Sequence, residues 1–189
     1  MKGQTPKKQI IKTARNLFSE SSYAGVSMSD IAKKLNVTKT ALYYHFAGKA
    51  EIYQKVLDEV FTDLSSMIKK VAEEKNARKR LRRLIKNYLD FGLKEKNLVK
   101  GVMIKMPPAD NRITQHITKL KEQIIELIRP TIEEALSNGK TISESNSRLL
   151  TFLLTGMMDS LLLEYSFLNK EISPKKMSNQ IIALLFPSH

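Results

Sequence analysis

The sequence predicts an all-α protein, and three observations carry that reading. Apolar residues recur at helical spacing in almost every long segment, strand alternation is nearly absent, and Pro107-Pro108 and Asn138-Gly139 punctuate the pattern. With 189 residues and 42% apolar composition there is material for a real core, in one compact domain or a small one joined to a larger one.

Ile10, Ile11, Ala14, Leu17 and Phe18 form the stripe of a first helix, which Pro6 leads in and which ends near Ser19–Ser22. Ser27, followed three residues later by Asp30, resembles a capping box and starts a short second helix over Met28–Leu35. Ile31, Ala32 and Leu35 turn inward there, and Asn36 marks the stop. A third short helix follows at Thr38–His45, inside the run Val37–Lys49 (VTKTALYYHFAGK). Two short helices joined by a tight turn, the second polar on its leading face, read as a helix-turn-helix.

Ile52, Val56, Val60, Leu64, Met67 and Val71 then mark a long helix, and Leu81, Leu84, Ile85, Tyr88 and Leu89 another. Pro107-Pro108 breaks the chain, since proline lacks the amide donor and disfavours helix in the residue before it. The stripe Ile113, Ile117, Leu120, Ile124, Leu127 and Ile128 makes the next helix, kinked at Pro130 and stopped at Asn138-Gly139. Leu149–Leu168 is apolar on nearly all sides and must be covered all round. A second subunit is the economical cover, joined by a last helix at Lys176–Leu185.

Net charge is +13, and its distribution points to a partner. Residues 1–60 hold 10 Lys/Arg against 5 Asp/Glu, residues 61–106 hold 13 against 5, and residues 107–189 hold 9 against 9. The excess lies in the first half, which is where a polyanion should bind. The run of cations over 75–86 reads as a solvated face rather than a direct contact to the reading site. There is no cysteine, which removes disulfides, thiolate catalysis and cysteine-ligated metal. His45, His116 and His189 form no metal-ligand spacing. No HExxH, no Ser–His–Asp arrangement and no phosphate-cradling glycine loop is present, so no enzyme, metal or cofactor is expected. The N-terminus is polar and basic without a secretory pattern. The longest uncharged apolar-rich run, Leu149–Met158, is far short of the roughly 20 residues a membrane span needs. A cytoplasmic protein that does not enter membranes is the expectation.

Over residues 6–60 these features resemble the TetR family of bacterial transcriptional regulators. The likeness rests on the first helix ending in Phe18, the run Tyr23-Ala24-Gly25-Val26-Ser27-Met28-Ser29-Asp30-Ile31-Ala32, and Leu42-Tyr43-Tyr44-His45-Phe46 followed by Lys49. The resemblance implies a helix-turn-helix domain at 1–50. It also implies a helical ligand-binding and dimerisation domain at 51–189, with residues 51–72 as the connecting helix. Lys39, Thr40 and Ala41 lead the third helix and can reach base edges in the major groove, where each base pair shows a distinct pattern. Tyr43 resembles a family position that meets base or sugar, and Tyr44, His45 and Lys49 resemble backbone clamps. Ser27 and Thr38, at helix starts, add hydroxyl and main-chain donors where the helix dipole favours an anion.

The resemblance further implies a small-molecule pocket in the second domain, for which Tyr88, Phe91, Met103, Met106, Phe152 and Met157 are the candidate lining. The sparse charge over 149–168 favours a hydrophobic effector. The implied function is a homodimeric repressor released from a pseudo-palindromic double-stranded operator by its effector, with dimer contacts near 149–168 and 176–185. A helix-turn-helix protein acting mainly through a protein partner, or an activator, would carry the same motif.

Overall fold

A computed structural model describes residues 6–103, 111–137, 143–168, 171 and 173–187, with the side chains of 100–103 and 166–168 outside that description. Among the described residues the regular structure is helical throughout: α1 (Pro6–Ser21), α2 (Met28–Leu35), α3 (Lys39–His45), α4 (Lys49–Ala72), α5 (Ala77–Lys94), α6 (Lys96–Met103), α7 (Asn111–Leu136), α8 (Glu144–Leu168) and α9 (Pro174–Leu185). The chain gathers into two compact units, one of Met1–Thr62 with Glu95–Thr118, the other of Asp63–Lys94 with Lys119–His189. The helix pattern of the sequence holds, with one addition. The eight-residue α6 was not anticipated, and it places residues 95–103 with the N-terminal helices. The breaks at Pro107-Pro108 and Asn138-Gly139 fall outside the described residues. α7 continues through Pro130.

In the first unit α1 packs on α2 and α6, and α2 packs on α3. Its core is Ile10, Ala14, Phe18, Ile31, Leu42, Phe46, Ile52, Val56 and Leu98, all buried. Phe18, Tyr23 and Tyr53 form an aromatic cluster, with Phe18 edge-on to Tyr53 at 5.0 Å and Tyr23 tilted against Tyr53 at 4.7 Å. Burial pushes the Tyr53 hydroxyl well above its ordinary titration range, so the ring sits there neutral.

In the second unit α5 packs on α8 and α9. Leu81, Leu84, Ile85 and Leu89 of α5 bury completely, and Ile128, Ile132, Leu154, Met158, Leu162, Ile181 and Ile182 complete the core. Gly92 marks a close approach: a β-carbon there would lie 2.2 Å from Leu162 Cδ1 and 2.8 Å from its Cδ2. Leu162 is itself buried and has little room to yield. Gly92→Val is therefore expected to destabilise this unit by about 1–3 kcal/mol through overpacking. Gly92→Val combined with Leu162→Ala should recover part of the loss. Thermal melts of the three variants check this, and a double variant no more stable than Gly92→Val contradicts it.

The apolar α8 divides into two faces. Leu154, Met158 and Leu162 turn inward together with Ser147, Thr151 and Thr155. The two threonine hydroxyls are satisfied within the helix, Thr151 Oγ1 donating to the Ser147 carbonyl and Thr155 Oγ1 to the Thr151 carbonyl, both at 2.8 Å. Leu149, Phe152 and Leu153 stay 55–63% exposed on the outward stripe.

Candidate nucleic-acid interface

The capping box over Ser27 and Asp30 forms as the spacing predicts. Asp30 N–H donates to Ser27 Oγ at 3.2 Å, and Ser27 N–H donates to Asp30 Oδ2 at 2.8 Å. Ser27 Oγ also donates to that carboxylate at 2.6 Å, and these bonds hold the Asp30 carboxyl below its usual range. Both donors of Ser27 are thus turned onto Asp30, and a phosphate contact from its hydroxyl requires the serine to exchange partners.

α2 ends at Asn36, which takes the left-handed conformation with φ 55°. Its N–H and that of Val37 return to the Lys33 and Ala32 carbonyls. Thr38 then caps α3, its Oγ1 accepting from Ala41 N–H at 3.2 Å. The threonine hydroxyl proton remains available to an acceptor in solution. This three-residue turn sets the start of α3 at the surface.

Leu42 is fully buried and Phe46 nearly so, which anchors α3 along one side. The other side presents Lys39, Thr40 and Ala41, all exposed, with Tyr43 51% and Tyr44 87% exposed. A tyrosine left 87% in water on a seven-residue helix contributes little to the core. His45 is half-buried, its ring edge-on to Tyr44 at 5.1 Å. Pro6, Gln9 and Ile10 of α1 line a recess with Val37, Ala41 and His45, so the start of α1 borders α3. Gln9 is an exposed donor at that border which periodicity did not single out.

Lys49 occupies a more structural place than its sequence position suggests. Its ammonium donates to the Tyr23 and Val26 carbonyls, both at 2.9 Å, and lies 4.2 Å from the Tyr23 ring centroid. The first residue of α4 thereby ties down the loop between α1 and α2. Partial burial depresses the Lys49 ammonium below the usual lysine range. Two of its three N–H donors are engaged, leaving one for a phosphate. Glu51 closes the same corner by accepting from Ala47 N–H at 2.6 Å.

The basic run of α5 largely serves the second unit. Arg80 is buried, pairing with Glu134 and donating to the Glu74 carbonyl at 3.0 Å. Arg78 donates to the Phe186 carbonyl at 3.1 Å and stacks on its ring. Arg83 lies 3.5 Å from Glu74, and Lys86 pairs with Asp90.

The candidate pocket residues that are described occupy different settings. Tyr88 turns into the second unit and donates to Asp159 Oδ1 at 2.7 Å. Phe91 and Met157 are half-buried, whereas Phe152 lies on the outward stripe of α8. Met103 closes α6 with its side chain outside the described residues, and Met106 lies outside them altogether. Asp159 was missed because one acid in an apolar helix gives no periodic signal. Burial raises its carboxyl above the ordinary value, with Tyr88 and then Lys121 opposing the shift.

A carboxyl with a raised folded pKa penalises the fold once it ionises, so its cost grows as pH rises above the unfolded value of 3.8. Asp159→Asn keeps an acceptor for Tyr88 and removes the charge. It should raise the Tm at pH 7 by about 2–4 °C, and the difference should vanish below the unfolded pKa. A lower Tm at pH 7 would contradict this.

Among the described residues no group of three or more His, Asp or Glu side chains could hold a metal, and no helix is long and apolar enough to cross a membrane.

Comparison with known proteins gives this geometry its context. Residues 10–56 match the family described as bacterial regulatory proteins, tetR family, and residues 53–188 match the YsiA-like protein C-terminal region. The biofilm operon icaADBC HTH-type negative transcriptional regulator IcaR of Staphylococcus epidermidis is 28% identical over 131 residues, covering 66% of this chain and 70% of its own length. The fatty acid degradation regulator FadR from Bacillus halodurans superposes with a TM-score of 0.81 at 18% identity, covering 99% of this chain and 98% of that one. FadR from Bacillus subtilis, solved in complex with stearoyl-CoA, gives 0.78 at 19% identity over 96% and 99%. At such identities the structural likenesses show a shared fold.

Proposed function

Because the chain belongs to the TetR family of bacterial regulatory proteins, we propose that it is a dimeric repressor. In this reading α3 binds a pseudo-palindromic DNA operator, and a small hydrophobic effector releases it. The observation that carries the reading is α3 itself: a helix anchored by Leu42 and Phe46 that leaves Lys39, Thr40, Ala41, Tyr43 and Tyr44 in water. Lys39, Thr40 and Ala41 face base edges, Tyr43 meets base or sugar, and Tyr44, His45 and the remaining donor of Lys49 clamp phosphate. Thr38 adds its hydroxyl, and Ser27 does so only by giving up Asp30.

The outward stripe of α8 supports the dimer. Leu149, Phe152 and Leu153 are exposed, and a β-carbon added at Gly156 would meet nothing, which leaves room for a partner helix to approach closely. Leu184 of α9, 80% exposed, adds a second apolar surface in the same unit. The division into a DNA-binding domain at 1–50 and an effector and dimerisation domain at 51–189 goes with this reading. The relative from S. epidermidis is a negative regulator, which favours repression over activation. Stearoyl-CoA, held by the B. subtilis structure, joins an apolar acyl chain to a charged coenzyme A head, and it is the first effector to test beside the free fatty acid, which lacks that head. An effector acts only by binding the DNA-incompetent state more tightly.

The test is fluorescence anisotropy on a duplex selected by the protein from a random pool. Tyr44→Phe should weaken binding to selected and unrelated duplexes alike, by several-fold. Lys39→Ala should weaken the selected sequence by about 1–3 kcal/mol and change which base is preferred at one position per half-site. Unchanged preference in Lys39→Ala would sink its assignment as a reading residue.

A further inference from the structure

The sequence places seven cations and no acid between residues 75 and 86, and the fold gives them different surroundings. Arg80 is buried on Glu134 and the Glu74 carbonyl, and Arg78 is held by the Phe186 carbonyl and ring. Four of the others stand on the outward side of α5. Lys79, Arg82, Arg83 and Lys86 are spaced i, i+3, i+4 and i+7, which puts them on one face of the helix. The opposite face, with Leu81, Leu84, Ile85 and Leu89, is buried in the core of the second unit.

Lys75, Lys79 and Arg82 are exposed and form no ion pair among the described residues. Arg83 reaches Glu74 at 3.5 Å, and Lys86 pairs with Asp90 one turn further on. Glu74 and Asp90 thus bracket the face, and no acid lies within it. The Glu74 carboxyl is held below its usual range by the Asn76 amide and then by Arg83 and Lys79. Like charges three and four residues apart on a helix repel one another. A polyanion laid along this face would relieve that repulsion.

The chemistry of the face selects the polyanion. A protein interface needs an apolar or aromatic core, and a helix lying in a membrane surface needs an apolar side free to insert. The stripe from Lys79 to Lys86 has no such core, and the apolar side of its helix is already covered. The phosphate backbone of duplex DNA asks only for cations in reach, and the planar fork of arginine suits phosphate. From Lys79 to Lys86 the face is about 10 Å long, enough for on the order of three phosphates of one strand.

We propose that the outward face of α5, with Lys75 just ahead of it in the chain, is a second DNA-binding surface. It holds the phosphate backbone without reading sequence and acts independently of α3. It therefore adds affinity and salt dependence and leaves base preference alone.

The experiment measures binding of the full chain to an unrelated duplex by anisotropy across a salt series. Lys75→Gln, Lys79→Gln and Arg82→Gln are combined in one variant. A control variant combines Lys119→Gln, Lys175→Gln and Lys176→Gln, three exposed lysines elsewhere, and removes the same charge. The α5 variant should raise the Kd about tenfold at low salt. Its slope of log K against log salt should become shallower by about 2–3, near 0.9 for each lost phosphate contact. The control should move the slope by less than about 1. The Tm of the α5 variant should hold or rise, because like charges have been removed, whereas a structural role would lower it. Selection from a random pool should return the wild-type consensus, and a shifted consensus would overturn the independence from α3.

Should the triple variant not fold, Arg82→Gln alone carries the comparison, with a slope change of about 1. Wild-type slope and Kd in the α5 variant, or equal changes in the α5 and control variants, would overturn the proposal. So would a variant that loses binding to poly-glutamate but keeps its affinity for DNA, which would assign the face to an acidic protein. A wild type that binds unrelated duplexes yet enriches no sequence would overturn the operator reading and leave this one standing.

Discussion

Phe152→Asp combined with Leu153→Asp is expected to convert the proposed dimer to a monomer and to weaken binding to the selected duplex by at least about 100-fold. Both side chains are largely exposed on one chain, 63% and 58%, so the charges cost little in the isolated subunit. Pressed against a second copy they would be like charges in a desolvated apolar interface. Two linked reading heads bind a two-part site far more tightly than one, because the second contact becomes intramolecular. Sedimentation velocity reads the mass and anisotropy the affinity. A variant that stays dimeric, or a monomer that binds as tightly as the wild type, would remove the outward face of α8 from the dimer.

Lys49→Met should do two things at once. It removes the bonds to the Tyr23 and Val26 carbonyls and the contact with the Tyr23 ring. Stability should fall by about 1–3 kcal/mol, allowing for partial exposure and for the relief of burying the charge. The remaining ammonium donor is lost as well, so DNA affinity should fall by about tenfold or more on every sequence. Thermal melts and anisotropy separate the two effects. An unchanged Tm with reduced affinity would make Lys49 a phosphate clamp alone, and a reduced Tm with unchanged affinity would make it a brace alone.

The first three helices were legible because their signals are local. Ser27 and Asp30 close a capping box over four residues, and Asn36 adopts the left-handed turn that few residue types accept. The stripe from Ile10 to Phe18 lies on one helix face. Each signal works within one or two turns of chain, so a pattern read along the sequence finds it.

What was not legible depends on residues far apart in sequence. Glu95 answers Arg15 across 80 positions, and nothing in its neighbourhood marks it as buried. α6 escaped notice because eight residues give barely two turns of periodicity. The cations of 75–86 read alike, yet Arg80 is buried, with Glu134 and the Glu74 carbonyl as its partners, while Arg82 stays in water. On α8 polarity misleads about direction. Thr151 and Thr155 satisfy their hydroxyls on the preceding turn and can be buried, while Phe152 and Leu153 are left outside for want of a neighbour in their own subunit. The sequence asks for cover on every side of α8, whereas its largely exposed apolar side chains, Leu149, Phe152 and Leu153, lie on one face.

Selection of binding sites from a random duplex pool tests the central claim most directly, that α3 of a dimer reads a specific operator. The expected result is one enriched, pseudo-palindromic sequence whose half-sites repeat about one helical turn apart, roughly 10 base pairs, and a different base preference when Lys39→Ala is selected in parallel. A pool that enriches no sequence, or one whose consensus is a single half-site indifferent to Lys39, would contradict it.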